Sequence, residues 1–191
     1  MQEIIVIFYS YLLGSIPFGL ILTKVFKKQD IRSVGSKNIG ATNVFRSSSK
    51  ILGILTLLLD ILKAFSAVFI TQKFFLDITY LSALVVFLGH LYPVWLKFKG
   101  GKGVAVYLGI LLGVNISLAL VFIIIWISLI LITKYASLAS IISSLGVLIM
   151  NIFFYSLNES ILYFLFLILL IYSHKSNIVK LKAGNENKIN L

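Results

Sequence analysis

The sequence predicts an all-α polytopic integral membrane protein with about seven transmembrane helices, and three observations predict it. The 191 residues are 60% hydrophobic and only 12% charged, with a mean hydropathy of +1.06, so charge is too scarce to clothe a water-soluble domain of this size. Apolar runs approach the roughly 20 residues that cross a bilayer as helix. The 17 Lys and Arg residues, against 6 acidic ones, gather mainly between and after those runs. In hydrocarbon every backbone polar group needs an internal partner, and helices supply it locally. The runs lack the alternation of a barrel strand.

Taken in order, the candidate spans lie at about 3–26, 51–71, 78–96, 104–115, 118–133, 138–156 and 160–173. The first starts with Glu3 rather than a basic region and runs through GSIPFG (14–19) into further apolar residues, so it reads as a retained span and not a cleaved signal. Gly14 and Gly19 suit close helix packing. Residues 104–133 and 137–173 could each be one span, which would give five crossings. Seven is preferred, because Gly113–Ser117 and Asn158–Ser160 interrupt those runs. The chain reads as a single membrane-embedded domain, 1–191.

An odd number of spans beginning outside puts three basic segments on one side. They carry Lys24, Lys27, Lys28, Arg32, Lys37, Arg46 and Lys50, then Lys97, Lys99 and Lys102, then Lys175, Lys180, Lys182 and Lys188. The positive-inside rule makes that side cytoplasmic, with the N-terminus outside and the C-terminus inside. The net charge of +11 therefore reads as membrane topology and not as a nucleic-acid footprint. Absence of cysteine excludes disulfides and thiol catalysis, and two histidines with six acids leave little for a metal.

Glycine, asparagine and histidine concentrate in the same three segments. In GSKNIGATNVFR (35–46), Gly35 and Gly40 can let backbone N–H groups converge on an anion. Ser36, Asn38, Thr42 and Asn43 add neutral donors, and Arg46 can grip a phosphate with two prongs. A solvated basic loop explains these residues about equally well. Next, Gly100-Gly-Lys-Gly103 opens an apolar helix whose N–H groups and dipole would face an anion. It is no Walker loop, since Gly103 stands where a magnesium-binding hydroxyl belongs. Taken alone, a glycine turn with interfacial lysines and Trp95 as an anchor is the simpler account. His90, near the end of the third span, reads first as a polar side chain satisfied by a neighbour. His174 and Asn177 share a face if the last helix runs past Ser173, although an ordinary basic tail bound to lipid headgroups explains that segment too. Asp60 and Lys63, three apart inside the second span, read as a buried structural pair. Ser137, in a short polar break, could point into a cytoplasmic cavity. Ser47-Ser-Ser-Lys50 fits Ser-x-x-Lys but is common in such loops. No His-to-Asp acyltransferase dyad is present, and no Ser-His-Asp set is evident on the predicted cytoplasmic face.

GSIPFG, GSKNIGATNVFR, LLLDILKA (57–64), GHLYPVWLKFKGGKGVA (89–105), KYASLAS (134–140) and HKSNIVKLKAGNENK (174–188) occur in the order found in one family. Over almost its whole length the chain resembles the bacterial integral-membrane glycerol-3-phosphate acyltransferases that use acyl phosphate, the PlsY family. The resemblance implies transfer of a fatty acyl group from acyl phosphate to the 1-hydroxyl of glycerol 3-phosphate. The products would be lysophosphatidate and phosphate, at the cytoplasmic face of the bacterial inner membrane, without metal or cofactor. Glycerol 3-phosphate, fatty acyl phosphate and membrane lipid are the implied partners, with room for an enzyme that makes the acyl phosphate. By motif position it implies Ser36, Arg46, Lys102, His174 and Asn177 as catalytic residues. Asn38, Gly40, Thr42, Asn43, His90, Gly100, Gly101, Gly103, Ser137, Gly184 and Glu186 would bind substrate. Lys37 and Asn185 depart from the family's usual glycine and threonine, Val106 from threonine, and Lys175 and Lys180 from arginine. A transporter of a phosphorylated metabolite is the rival expectation. The collection of polar motifs on one face, and the lack of an obvious repeat between the halves, count against it.

Overall fold

The computed structural model describes residues 1–155 and 157–189, with Asn158 described by its backbone alone. Every regular element among them is helical. The chain divides into two compact units, Met1–Val114 and Asn115–Leu191.

The first unit contains α1 (Gln2–Ser15), α2 (Phe18–Lys27), α3 (Ala41–Ser47), α4 (Lys50–Phe74), α5 (Thr79–Leu91) and α6 (Val104–Val114). The first expected span is thus broken in two at Ile16-Pro17. Proline has no N–H to continue the ladder, and the break frees carbonyls that hydrocarbon cannot solvate. Neighbouring side chains supply the missing donors. Lys63 Nζ lies 2.7 Å from the Ile16 carbonyl, and Trp95 Nε1 donates to the Ser15 carbonyl at 2.6 Å. Trp95 is therefore more than an interfacial anchor.

Helix α1 packs on α5 and α4, and α4 packs on α6. A Cβ on Gly14 would run into the Val86 carbonyl, and one on Gly89 would sit 2.7 Å from the Tyr11 carbonyl, so the two glycines bring the α1 and α5 backbones together. Gly19 serves a different neighbour, the Ile39 backbone of the following loop. Hydroxyls lace the helices where lipid gives no hydrophobic drive: Ser10 with Ser82 at 2.8 Å, Ser82 to the Ala67 carbonyl at 3.2 Å, and Tyr9 with Thr71.

The second unit contains α7 (Ile116–Thr133), α8 (Ala136–Phe154), α9 (Leu157–Ser173) and α10 (Lys175–Lys182). Asn115 starts α7 by accepting from the N–H groups of Ser117 and Leu118, so the turn expected near Gly113–Ser117 is present. The break expected at 158–160 falls earlier, because α9 already begins at Leu157. Ser160 lies inside that helix and donates to Asn151 Oδ1 at 2.7 Å, tying α9 to α8. The last apolar helix does not run on past Ser173: α9 and α10 meet at 63°.

Among the described residues, five helical segments are long and apolar enough to cross a membrane, or six if the bent α9–α10 pair counts as one span. Helix α6, with 11 residues, rises only about 16 Å, roughly half the hydrocarbon thickness. Ile132 (79% exposed), Phe153 (76%) and Ile4 (72%) show how much apolar surface faces outward, a condition that lipid satisfies and water does not.

Replacing Gly14 with Val should lower stability in detergent by about 1–3 kcal/mol, since the obstructing atom is backbone and cannot swing aside. A melting curve followed by intrinsic fluorescence, unchanged from the parent, would contradict this packing.

Candidate active site

The polar loop of the first unit is built around Asn43, which is 2% exposed. Its Nδ2 donates toward the carbonyls of Asn38 (2.8 Å), Val34 (3.1 Å) and Ile31 (3.3 Å), while Oδ1 accepts from the Ser36 N–H at 2.8 Å and the Ser47 hydroxyl at 3.3 Å. Asn38 Oδ1 accepts from the Gly40 N–H at 2.8 Å, and the Gly40 carbonyl starts α3 by accepting from Asn43 N–H. Beneath the loop, Ile31, Ile39 and Val44 pack with Leu20 and Leu52. The loop is thus both stapled by apolar residues and wired by one amide side chain. Thr42 and Arg46 lie on α3, half-buried.

This wiring corrects one expectation. The Ser36 and Gly40 N–H groups, expected to converge on an anion, are already bonded inside the loop, because Asn43 and Asn38 reach them first. Asn43 itself is spent on loop carbonyls. Lys37 sits at φ 59°, a left-handed conformation that costs a non-glycine residue roughly 1–2 kcal/mol.

At the entry to the same loop, Asp30 caps a short turn through Arg32 N–H. Arg32 returns two side-chain bonds, Nε to Oδ1 at 3.0 Å and Nη2 to Oδ2 at 2.7 Å. The Arg32 side chain holds the Asp30 carboxyl down to about 2, with Lys24 a lesser influence.

The glycine turn of the first unit is fixed from below. Gly100 N–H donates to the Leu91 carbonyl at 3.0 Å and Gly101 N–H to the His90 carbonyl at 3.1 Å. Those two amides are therefore not available to an anion, again contrary to expectation, since they close the turn back onto α5. Lys102, half-buried, follows the two glycines and precedes the first turn of α6, whose N–H groups have no intrahelical partner. Gly103 directly precedes α6, and its carbonyl accepts from Tyr107 N–H at 2.7 Å. His90 lies under the turn: a Cβ on Gly101 would overlap its Nε2. On its other side, His90 Nδ1 is 3.0 Å from Lys63 Nζ, which also pairs with Asp60 Oδ1 at 2.7 Å. The expected Asp60–Lys63 pair is present, and His90 joins it.

In the second unit the tail folds back. Ala183 ends α10, and Gly184, at φ 71°, turns the chain while Asn185 N–H bonds the Lys180 carbonyl at 2.8 Å. The turn returns Glu186, whose Oε1 accepts from Asn177 Nδ2 at 2.7 Å and from Ser137 Oγ at 3.1 Å. Ser137 is thus turned toward the tail. Ile189 N–H bonds the Lys134 carbonyl at 2.9 Å, completing the docking. His174 occupies the α9–α10 elbow, where Nδ1 meets the Leu170 carbonyl at 2.8 Å. A carbonyl only accepts, so Nδ1 carries the proton and Nε2 of the neutral ring is an acceptor.

Comparison with known proteins supplies the remaining fact. Residues 4–184 match the family model described as glycerol-3-phosphate acyltransferase. The chain belongs to that family. A glycerol-3-phosphate acyltransferase of Pelagibacter ubique is 52% identical, covering 98% of each chain, and one from a Wolbachia of Brugia malayi is 48% identical over 98% of this chain and 99% of its own. The crystal structure of PlsY (YgiH), an integral membrane glycerol 3-phosphate acyltransferase, in its glycerol 3-phosphate form aligns with a TM-score of 0.93 at 38% identity, over all of this chain and 96% of that one. Its lysophosphatidic acid form aligns at 0.90. Family membership makes this an integral membrane acyltransferase and sets aside the transporter reading.

Sequence reasoning missed the Lys63–His90 contact, for which spacing gives no signal across 27 residues. It also missed Tyr11, whose hydroxyl donates to the Tyr92 carbonyl and accepts from Val94 N–H, pinning the chain between α5 and the glycine turn.

Asn43→Ala would orphan several half-buried loop groups at once and should cost about 2–4 kcal/mol, read as a lower melting temperature together with lost acyl transfer. The Asp30 carboxyl is depressed in the folded state, so its stabilisation is complete above the ordinary value of 3.8 and is lost as pH falls toward about 2. The 28–34 turn should therefore loosen in that acid window, seen as faster proteolysis or hydrogen exchange, and Asp30→Asn should abolish the dependence.

Proposed function

We propose that residues 1–191 act as one acyltransferase domain that moves a fatty acyl group from acyl phosphate to the 1-hydroxyl of glycerol 3-phosphate, yielding lysophosphatidate and phosphate at the cytoplasmic face of the bacterial inner membrane. The observation that carries this reading is the state of the two histidines. His174 Nδ1 is held by a backbone carbonyl and His90 Nδ1 by a lysine, so in neither ring does Nδ1, the nitrogen that meets the carboxylate in the usual triad, have that kind of backing. A site without such a base suits a donor that is already activated, and acyl phosphate has a good leaving group. The lysophosphatidic acid form of the related PlsY fits the expected product.

The catalytic task is then positioning and charge neutralisation. Arg46 and Lys102 hold phosphate, Lys102 with the first-turn N–H groups of α6. Ser36 and Thr42 add hydroxyl donors. Asn43, Asn38 and Gly40 keep the first loop in shape, and Gly100, Gly101 and Gly103 do so for the second. Asn177 and His174 orient glycerol 3-phosphate, with Asn177 set by Glu186, and Glu186 brought back by Gly184 and met by Ser137. As the 1-hydroxyl oxygen bonds the acyl carbon, the acyl–phosphate bond breaks. The hydroxyl proton passes to the departing phosphate oxygen, so atoms and charge balance without a protein base.

Purified protein in detergent, given acyl phosphate and labelled glycerol 3-phosphate, should form labelled lysophosphatidate, with acyl-CoA as parallel donor. Folded protein that is active with acyl-CoA but silent with acyl phosphate defeats the donor assignment. Arg46→Lys, which exchanges a planar fork for a point charge, should lower kcat/KM by about tenfold or more, and near-normal kinetics would exclude a two-pronged contact. The pH profile should keep its limbs in both His90→Ala and His174→Ala. A basic limb that vanishes in one variant alone identifies that residue as the base.

A further inference from the structure

Lys63 is a long cation in the interior of the first unit, 4% exposed, with Asp60 at 2% and His90 at 5%. Its Nζ has three polar neighbours in reach: Asp60 Oδ1 at 2.7 Å, the Ile16 carbonyl at 2.7 Å and His90 Nδ1 at 3.0 Å. The Phe18 ring lies 5.7 Å away on a further side. An ammonium has three N–H groups and no lone pair, whereas a neutral amine has only two. The buried Asp60 carboxylate 2.7 Å away pairs with the charged ammonium, whose N–H groups then reach the Ile16 carbonyl and His90 Nδ1. The Asp60 carboxylate stands 3.9 Å from His90 Nδ1, too far to receive a proton from it, so lysine alone decides what that nitrogen does.

A nitrogen that faces an ammonium must offer its lone pair. His90 is then the Nε2–H tautomer, and Nε2 is the atom against which Gly101 is packed so closely that a Cβ would overlap it. Gly101 is held there by its own N–H bond to the His90 carbonyl. We propose that Lys63 is a positioning residue: by donating to Nδ1 it locks His90 as a neutral Nε2–H donor beneath the Gly100–Gly103 turn, aimed at the phosphate that the turn receives. Asp60 balances the charge of Lys63, and the Pro17 break supplies the carbonyl that takes another of its protons. The identity of the anion rests on the phosphate reading above, but the tautomer does not.

The chain has two histidines, so selective ¹⁵N-histidine labelling of the full-length protein in detergent or nanodiscs gives two imidazole spin systems, assigned with His174→Gln. At neutral pH, His90 should show a bare Nδ1 and a protonated Nε2. Protonation at Nδ1, alone or with Nε2, overturns the proposal in the unmodified protein, before any variant is made. Asp60→Asn with Lys63→Met, replaced together so that no lone charge is buried, should shift His90 toward Nδ1–H, and an unchanged tautomer overturns the role of Lys63. That double change should lower kcat for glycerol 3-phosphate on the order of tenfold, and the loss should vanish in a His90→Ala background. Additive losses would make the pair merely structural and defeat the proposal. Because the spectra need no turnover, a wrong acyl donor would silence the assay and leave them intact.

Discussion

One buried ammonium organises the first unit. Lys63 sits among groups that hydrocarbon cannot solvate; paired with Asp60 on its own helix, it joins α4 to the Pro17 break and to α5 by two hydrogen bonds. Removing one partner of such a buried pair typically costs about 3–5 kcal/mol, more than most single contacts, because the other charge is stranded. The break in the first span is tolerable because Lys63 and Trp95 take up the carbonyls it exposes. A motif that looks like a flaw in a membrane helix is therefore one end of a polar joint, and His90 is the other.

Inward bonding recurs in both polar loops of that unit. The amides of Ser36 and Gly40 find partners within their own loop, and those of Gly100 and Gly101 on the end of α5. These segments gain rigidity at the expense of donors, so under the proposed function attraction for phosphorylated substrates falls to side chains, Arg46 and Lys102 foremost, and to the start of α6. Both segments, 35–46 and 97–105, lack any carboxylate that would oppose this.

Much of this was legible in the sequence. Apolar runs located the hydrophobic helices, since helix in lipid is a consequence of backbone satisfaction and length, though five or six rather than seven of the described segments are long and apolar enough to span. The Asp60–Lys63 pair followed from a spacing of three, and the helix start after Gly103 followed from glycine giving way to apolar residues. Tertiary reach was not legible. Nothing local announces that Lys63 will meet His90, that Asn43 will serve five loop groups, or that the last helix will bend at His174, because each depends on elements brought near by folding. The sequence also overestimated free amides: residue types suggest donors but do not reveal which are already engaged.

The return of the tail carries a consequence for how such chains can vary. Glu186 Oε1 receives one bond from Asn177 on α10 and another from Ser137 on α8, and the turn at Gly184 sets how far the chain travels between them. The nine-residue interval from Asn177 to Glu186 thus behaves like a ruler. Side chains along its exposed outer face can drift freely, yet a one-residue insertion or deletion within it would throw the carboxylate off both donors. Length in this segment should be held by selection more tightly than composition.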